Sequence, residues 1–211
     1  MKMYVITSRF VIAFTCIASL YSCKKSSDTQ PTGDSFPAPI SGNVSQSMVD
    51  SIRNRGGLVY SGTTPPIVNG IYFMSPDSCI YDNSPGNFAG TIFSDYKFRF
   101  SAQNNTSYVI TVDQKAIPAG TLSSTPVSSY ISGSGNNFSI FLLRTITPSG
   151  ISVEQYNVLS GTLTSAGIQN LTNTLYVRSK GSDPGNIYPA AGTIRVFVTG
   201  GTGLAATSST F

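Results

Sequence analysis

A chain of 211 residues with no His, no Trp, three Cys, and 13 Lys and Arg against 9 Asp and Glu is barred from several kinds of chemistry. Without imidazole there is no Ser-His-Asp or Cys-His site, and the commonest metal ligand is missing. Charged residues are 10% of the chain, against roughly 25% in ordinary soluble proteins, and Ser, Thr and Asn carry the polarity instead, as suits the strand surfaces and turns of a secreted β-protein.

The N-terminus reads as an address. Lys2 and Arg9 precede the apolar run Phe10–Leu20, a cationic start and short hydrophobic core that match a secretory signal and fall short of a membrane span. Leu20-Tyr21-Ser22-Cys23 then resembles the lipobox of bacterial lipoproteins. The resemblance implies that residues 1–22 are a cleaved signal peptide. It also implies that Cys23 takes a diacylglycerol thioether, with its new amine a further acylation (palmitate) site. Several acyl chains anchor stably where one holds only reversibly. Lys24 after the Cys points, by analogy with Gram-negative lipoproteins, to the outer membrane. Cleavage takes Lys2 and Arg9 out of the 13 basic residues and leaves 11 against 9 acidic ones. Beyond Lys24-Lys25 no basic cluster follows, which argues against nucleic acid as a partner.

Residues 24–40 are polar, Pro-rich and without apolar periodicity, and with Cys23 they read as a lipidated, flexible linker ahead of a domain at 41–211. Val44, Met48 and Ile52 recur every four residues and predict one helix at about 45–55, with Asn43 or Ser45 as its cap and Gly56-Gly57 as its end. Its expected place is over one opening or edge of the β-structure that follows.

From residue 58 the period becomes two. Tyr96, Phe98 and Phe100 alternate with Lys97 and Arg99; Tyr108, Ile110 and Val112 share a face, as do Phe138, Ile140 and Leu142. Further strands are expected at 69–75, 88–93, 127–132, 152–163, 170–179 and 192–199. Turns rich in Gly, Asn and Ser separate them, such as Gly133–Asn137 and Asp183–Gly185. Short alternating strands with compact turns indicate an all-β, antiparallel up-and-down meander. A barrel of eight to ten strands would remove its exposed edges, with a two-sheet sandwich as the alternative. A membrane-spanning barrel is disfavoured, because the anchor would be redundant and clear aromatic girdles are lacking.

Several phrases together resemble a largely uncharacterised group of Gram-negative envelope lipoproteins with lipocalin-like (calycin-type) barrel domains. They are Tyr60-Ser-Gly62 running into Pro65–Tyr72, Ser75-Pro76, Ile131–Gly135, Ser160–Thr164 with Gly167-Ile168, and Gly192–Phe197. In barrels of this type a Gly-x-Tyr near the first strand packs at the closed end, which gives Gly70 and Tyr72 structural parts. The Trp of true lipocalins is absent.

Chemistry is sparse. Cys16 leaves with the signal, Cys23 is the anchor, and Cys79 alone forms no internal disulfide and has no His to activate it; it reads as an inert, semi-buried residue at a strand start. The Gly-rich pieces Gly133–Gly135 and Gly200–Gly203 do not fit phosphate-binding patterns, and no cofactor or metal site is expected. Paired carboxylates among Asp77, Asp82, Asp95, Asp113, Glu154 and Asp183 are the remaining route to acid–base chemistry, but most sit beside Gly, Ser, Asn or Pro, where Asp is ordinarily a turn residue. Tyr96, Phe98, Phe100, Tyr108, Phe138 and Tyr156 are either ordinary core or the lining of a ligand cavity. The expected function is therefore non-enzymatic: a membrane-anchored module binding a small apolar or amphipathic ligand. The alternative is a structural or interaction component of the cell surface with a filled core.

Overall fold

The computed structural model describes residues 34–118 and 127–211; the expected signal peptide and Cys23 lie outside the described residues. Two helices, α1 (Ala38–Ser41) and α2 (Gln46–Arg53), precede strands β1 (Gly70–Met74), β2 (Asp77–Asp82), β3 (Ile92–Phe93), β4 (Asp95–Asn104) and β5 (Val109–Ile117). Then come β6 (Val127–Ser134), β7 (Asn137–Ile146), a 3-10 turn (Pro148–Gly150), β8 (Val153–Thr164), β9 (Gly167–Lys180), β10 (Ile194–Thr199) and β11 (Leu204–Thr207).

Pairing registers reduce these to eight walls. Met74 faces Tyr96 and Asp77 faces Phe93, one unbroken register, so β1–β2 and β3–β4 are each one interrupted strand. β10 and β11 likewise follow each other along the free side of β9, and both return to pair with β2 and β1. The result is an eight-stranded antiparallel barrel in meander order, closed on itself. Closure leaves no edge along the walls, as the alternation of the sequence requires.

Side-chain alternation sorts the walls into two faces. Tyr72, Phe98, Phe100, Ile110, Ile131, Phe138, Ile140, Leu159, Ile168 and Ala205 form one cluster drawn from all round the barrel, which is the lumen core. Phe98 stacks on Phe100 at 6.3 Å and Phe138 meets Phe100 edge-on at 6.3 Å. Pro65–Val68 close this end. Val68 is fully buried in the lumen cluster, its N–H donates to Gln103, and the carbonyls of Pro65 and Pro66 accept from Asn105 and Gln103. The Tyr72 hydroxyl donates to the Val68 carbonyl at 3.1 Å, so the expected structural part of Tyr72 is visible as a bond.

α2 corrects one expectation: it lies on the outer wall rather than over an opening. Met48, Val49 and Ile52 pack with Phe141, Val158, Ile194 and Val196, which alternate with the lumen residues along β7, β8 and β10. Apolar residues on an outward face need a cover, and each of these side chains contributes about 1.5–3 kcal/mol when buried. Ser45 caps the helix, accepting from the Met48 N–H at 3.3 Å. The packed structure also starts before the expected boundary at 41. Phe36 meets Phe141 edge-on at 5.7 Å, and Asp34 takes a two-pronged contact from Arg53 at 2.6 and 2.8 Å.

The chain then runs along the wall to the closed end. Tyr60 donates its N–H to Ser139 and accepts from Ser132, and Gly62 and Gly133 pass backbone to backbone, with the Gly133 N–H on the Gly62 carbonyl at 3.1 Å. Both glycines have positive φ, and a Cβ on Gly133 would collide with the Asn137 carbonyl oxygen. Gly133→Ala is therefore expected to cost roughly 2–4 kcal/mol in denaturant unfolding. Gly135→Ala, also at positive φ but in open space, is expected to cost about 1 kcal/mol.

Candidate binding site at the barrel mouth

The two ends of the barrel are built differently. At the closed end the hairpins are tight, as between β6 and β7 or β8 and β9, whereas 83–91 and 181–193 are long connections at the opposite end. These two loops, with the lumen residues Leu175 and Arg195, border an open cavity of about 710 Å³, within the range of small-molecule sites. One part of its lining is apolar (Phe88, Leu175, Ile187 and Tyr188) and another is polar (Ser84, Asn186, Lys180 and Arg195).

Each loop is built around one Asp and one cation. Asp82 accepts from the backbone N–H groups of Ser84 (2.8 Å) and Phe88 (3.0 Å) and from Arg195 Nε (2.9 Å). Asp183 accepts from Ile187 and Tyr188 (both 2.9 Å) and from Lys180 Nζ (2.9 Å). Burial opposes the charge on Asp82, but the Phe88 and Ser84 bonds hold its carboxyl below the usual range. The Tyr188 N–H, with Ile187 and Lys180, holds Asp183 at about 2. Both loops are thus shaped without a ligand, and the cations at the mouth are already neutralised. Arg195 also lies over the Phe88 ring at 4.8 Å, which sets one aromatic wall.

Below the mouth the lumen is polar before it becomes aromatic. Gln155 accepts from the Tyr188 hydroxyl at 2.8 Å and donates to Asn157, which donates to Asn173. The candidate lining residues divide accordingly. Tyr96, Phe98, Phe100 and Phe138 come together in the lumen core. Tyr156 belongs to the outer cluster, its hydroxyl donating to the Asn43 carbonyl at 2.9 Å. Tyr108 sits in the β4–β5 turn at φ 57°. None of the six lines the mouth cavity, whose apolar wall comes from loop residues without periodicity.

Most of the carboxylates are apart and partnered, and Asp77 and Asp95 alone among the six are near enough for Asp95 to raise its neighbour. Asp113 pairs with Arg99, Glu154 accepts from Ser179, and Asp95 accepts from Ser75. Asp77 is buried, with one carboxyl oxygen lacking any partner, and burial, with the charge of Asp95 second, raises it to about 7. Cys79 is buried in β2 and burial raises its thiol. Among the described residues no three His, Cys, Asp or Glu side chains converge on a metal site, and no described helix is long and apolar enough to cross a membrane.

No family model, curated protein or solved structure matches the chain.

These carboxyls set the pH profile of stability. Asp34, held at about 2 first by the Arg53 hydrogen bond, and Asp183 bind protons more weakly folded than unfolded, so stability rises with pH between about 2 and 4. Asp77 holds its proton more tightly folded than unfolded, so stability falls between about 4 and 7. Denaturant unfolding at stepped pH is expected to show a maximum near pH 4. Asp77→Asn is expected to remove the falling limb and stabilise the protein at pH 8 by on the order of 3 kcal/mol.

Proposed function

We propose that the protein is a lipid-anchored envelope module, non-enzymatic, that holds a small amphipathic molecule at the mouth of its barrel. The observation that carries this reading is the cavity of about 710 Å³ between two loops already shaped by their own Asp residues, with apolar and polar groups both in its lining. A preformed site with both kinds of group costs little ordering on binding. The ligand sits at the mouth because the aromatic core fills the closed end. The lipobox-like run at Leu20–Cys23 supplies the anchor and the Gram-negative outer membrane the address, with the membrane as partner through the acyl chains.

A second reading, an interaction component of the cell surface, draws on a different place. An outer groove of about 250 Å³ beside α1 is lined by Pro39, Ile40, Val44, Phe141, Leu143 and Tyr130, with Leu143 40% and Tyr130 39% exposed.

Native against denaturing mass spectrometry of the protein from its own envelope is expected to reveal a bound mass that leaves on unfolding. Phe88→Ser with Ile187→Ser, both on solvent-exposed loop positions, is expected to weaken retention about tenfold or more with the fold unchanged. An empty native protein would favour the groove reading. Cys23→Ser is expected to move the protein from the membrane to the soluble fraction; continued membrane association would remove the lipoprotein assignment.

A further inference from the structure

The upper lumen contains a half-buried guanidinium with two nitrogens left unpartnered. Arg144 follows Ile140 and Leu142 at two-residue steps along β7 and so faces the lumen. Its Nε and Nη2 are both sealed from solvent and neither has a hydrogen-bond partner. Every other Lys and Arg of the described residues meets a carboxylate, a carbonyl, a hydroxyl or an aromatic ring. Burial lowers the Arg144 guanidinium. Sealing two donors of a cation from water without partners is costly, and two vacant donors on one planar fork match the two oxygens of a carboxylate.

Its surroundings lead to the mouth. Arg144 stands opposite Gln155 in the β7–β8 register, and Gln155 accepts from the hydroxyl of Tyr188, which lines the mouth cavity. Gln155 thus links the Arg144 position in the register to the cavity-lining Tyr188, beside the apolar cluster of Val153, Val177 and Leu175. The carboxylates flanking the cavity are committed: Asp82 to Arg195 and Asp183 to Lys180.

Resting on the reading of the mouth as a ligand cavity, we infer that Arg144 is the anion-binding residue of that site and that the ligand is a single-chain amphiphile with a carboxylate head. The head enters first, displaces the Tyr188 hydroxyl from Gln155 and accepts from the Arg144 fork. The tail stays at the mouth against Phe88, Leu175 and Ile187. The lumen keeps an unpaired cation because the ligand supplies its partner.

Decanoate and decanol, titrated calorimetrically into the Cys23→Ser chain with and without Arg144→Met, test this. Decanoate is expected to bind at least about tenfold more tightly than decanol, and Arg144→Met to weaken decanoate about 10- to 100-fold while leaving decanol within a few-fold. Arg144→Met is also expected to raise the melting temperature of the ligand-free protein, because a buried charge without a partner is removed. Arg144→Lys, which keeps the charge but not the fork, is expected to recover only part of the preference. Equal binding of the two probes, or a lower melting temperature in Arg144→Met with decanoate affinity unchanged, would make Arg144 a structural group and overturn the inference while leaving the cavity reading standing. Binding of neither probe would overturn both.

Discussion

Every other feature of the molecule depends on the seam at which β10 and β11 lie between β9 and the β1–β2 wall. Tyr72 pairs with Thr207 and Ala205 with Ile168, so the first wall meets the last and the ladder of backbone hydrogen bonds runs on round the circumference. Without the seam the meander would be an open sheet with two long free edges and no inside. With it, alternate residues are divided between a lumen and an outer face, and each face acquires its own packing problem.

The two problems have different solutions. The lumen is filled from the closed end by stacked and edge-on aromatic rings, then changes to amides, a cation and carboxyls towards the mouth. The outer face carries a buried apolar patch over β7–β10 and β2, where α2 and the residues flanking it cover it. Stability is thus concentrated in the closed end and the outer layer. The polar upper lumen contains groups that weaken the fold: the unpartnered oxygen of Asp77 and the free nitrogens of Arg144.

Much of the architecture was legible because it rests on simple periods. The four-residue recurrence of Val44, Met48 and Ile52 and the Ser45 cap mark α2, and the alternation of Tyr96, Phe98 and Phe100 marks β4. Asp82 and Asp183 were readable as turn residues, and each does hold its own loop's N–H groups. Other parts left little trace. β2 (Asp77–Asp82) was hidden behind Ser75-Pro76 and a bulge at Ile80, where Cys79 and Tyr81 oppose the adjacent residues Phe197 and Val196. β11 is four residues between glycine-rich and hydroxyl-rich stretches, and its strand state comes only from the neighbours it bridges. The expected strand at 88–93 shrinks to Ile92–Phe93, because Asp82 draws the Phe88 N–H into the loop. Arg144 carried no signal, since its importance lies in the absence of a counter-charge, which depends on the fold.

The layer from Asp34 to Val68 gives the molecule a direction under load. A pull on the chain ahead of Asp34 acts first on the Asp34–Arg53 pair, then on α2, then on the single-file contacts of Tyr60 and Gly62 with the wall. These bonds lie one after another along the strap, so a pull loads them in turn, with the apolar contacts of α2 the firmest of them. β1 is held on both sides at once, between β4 and β11, and its bonds are loaded together. The order of loading follows the order of the chain: the strap meets a pull from its N-terminal side before the barrel walls do.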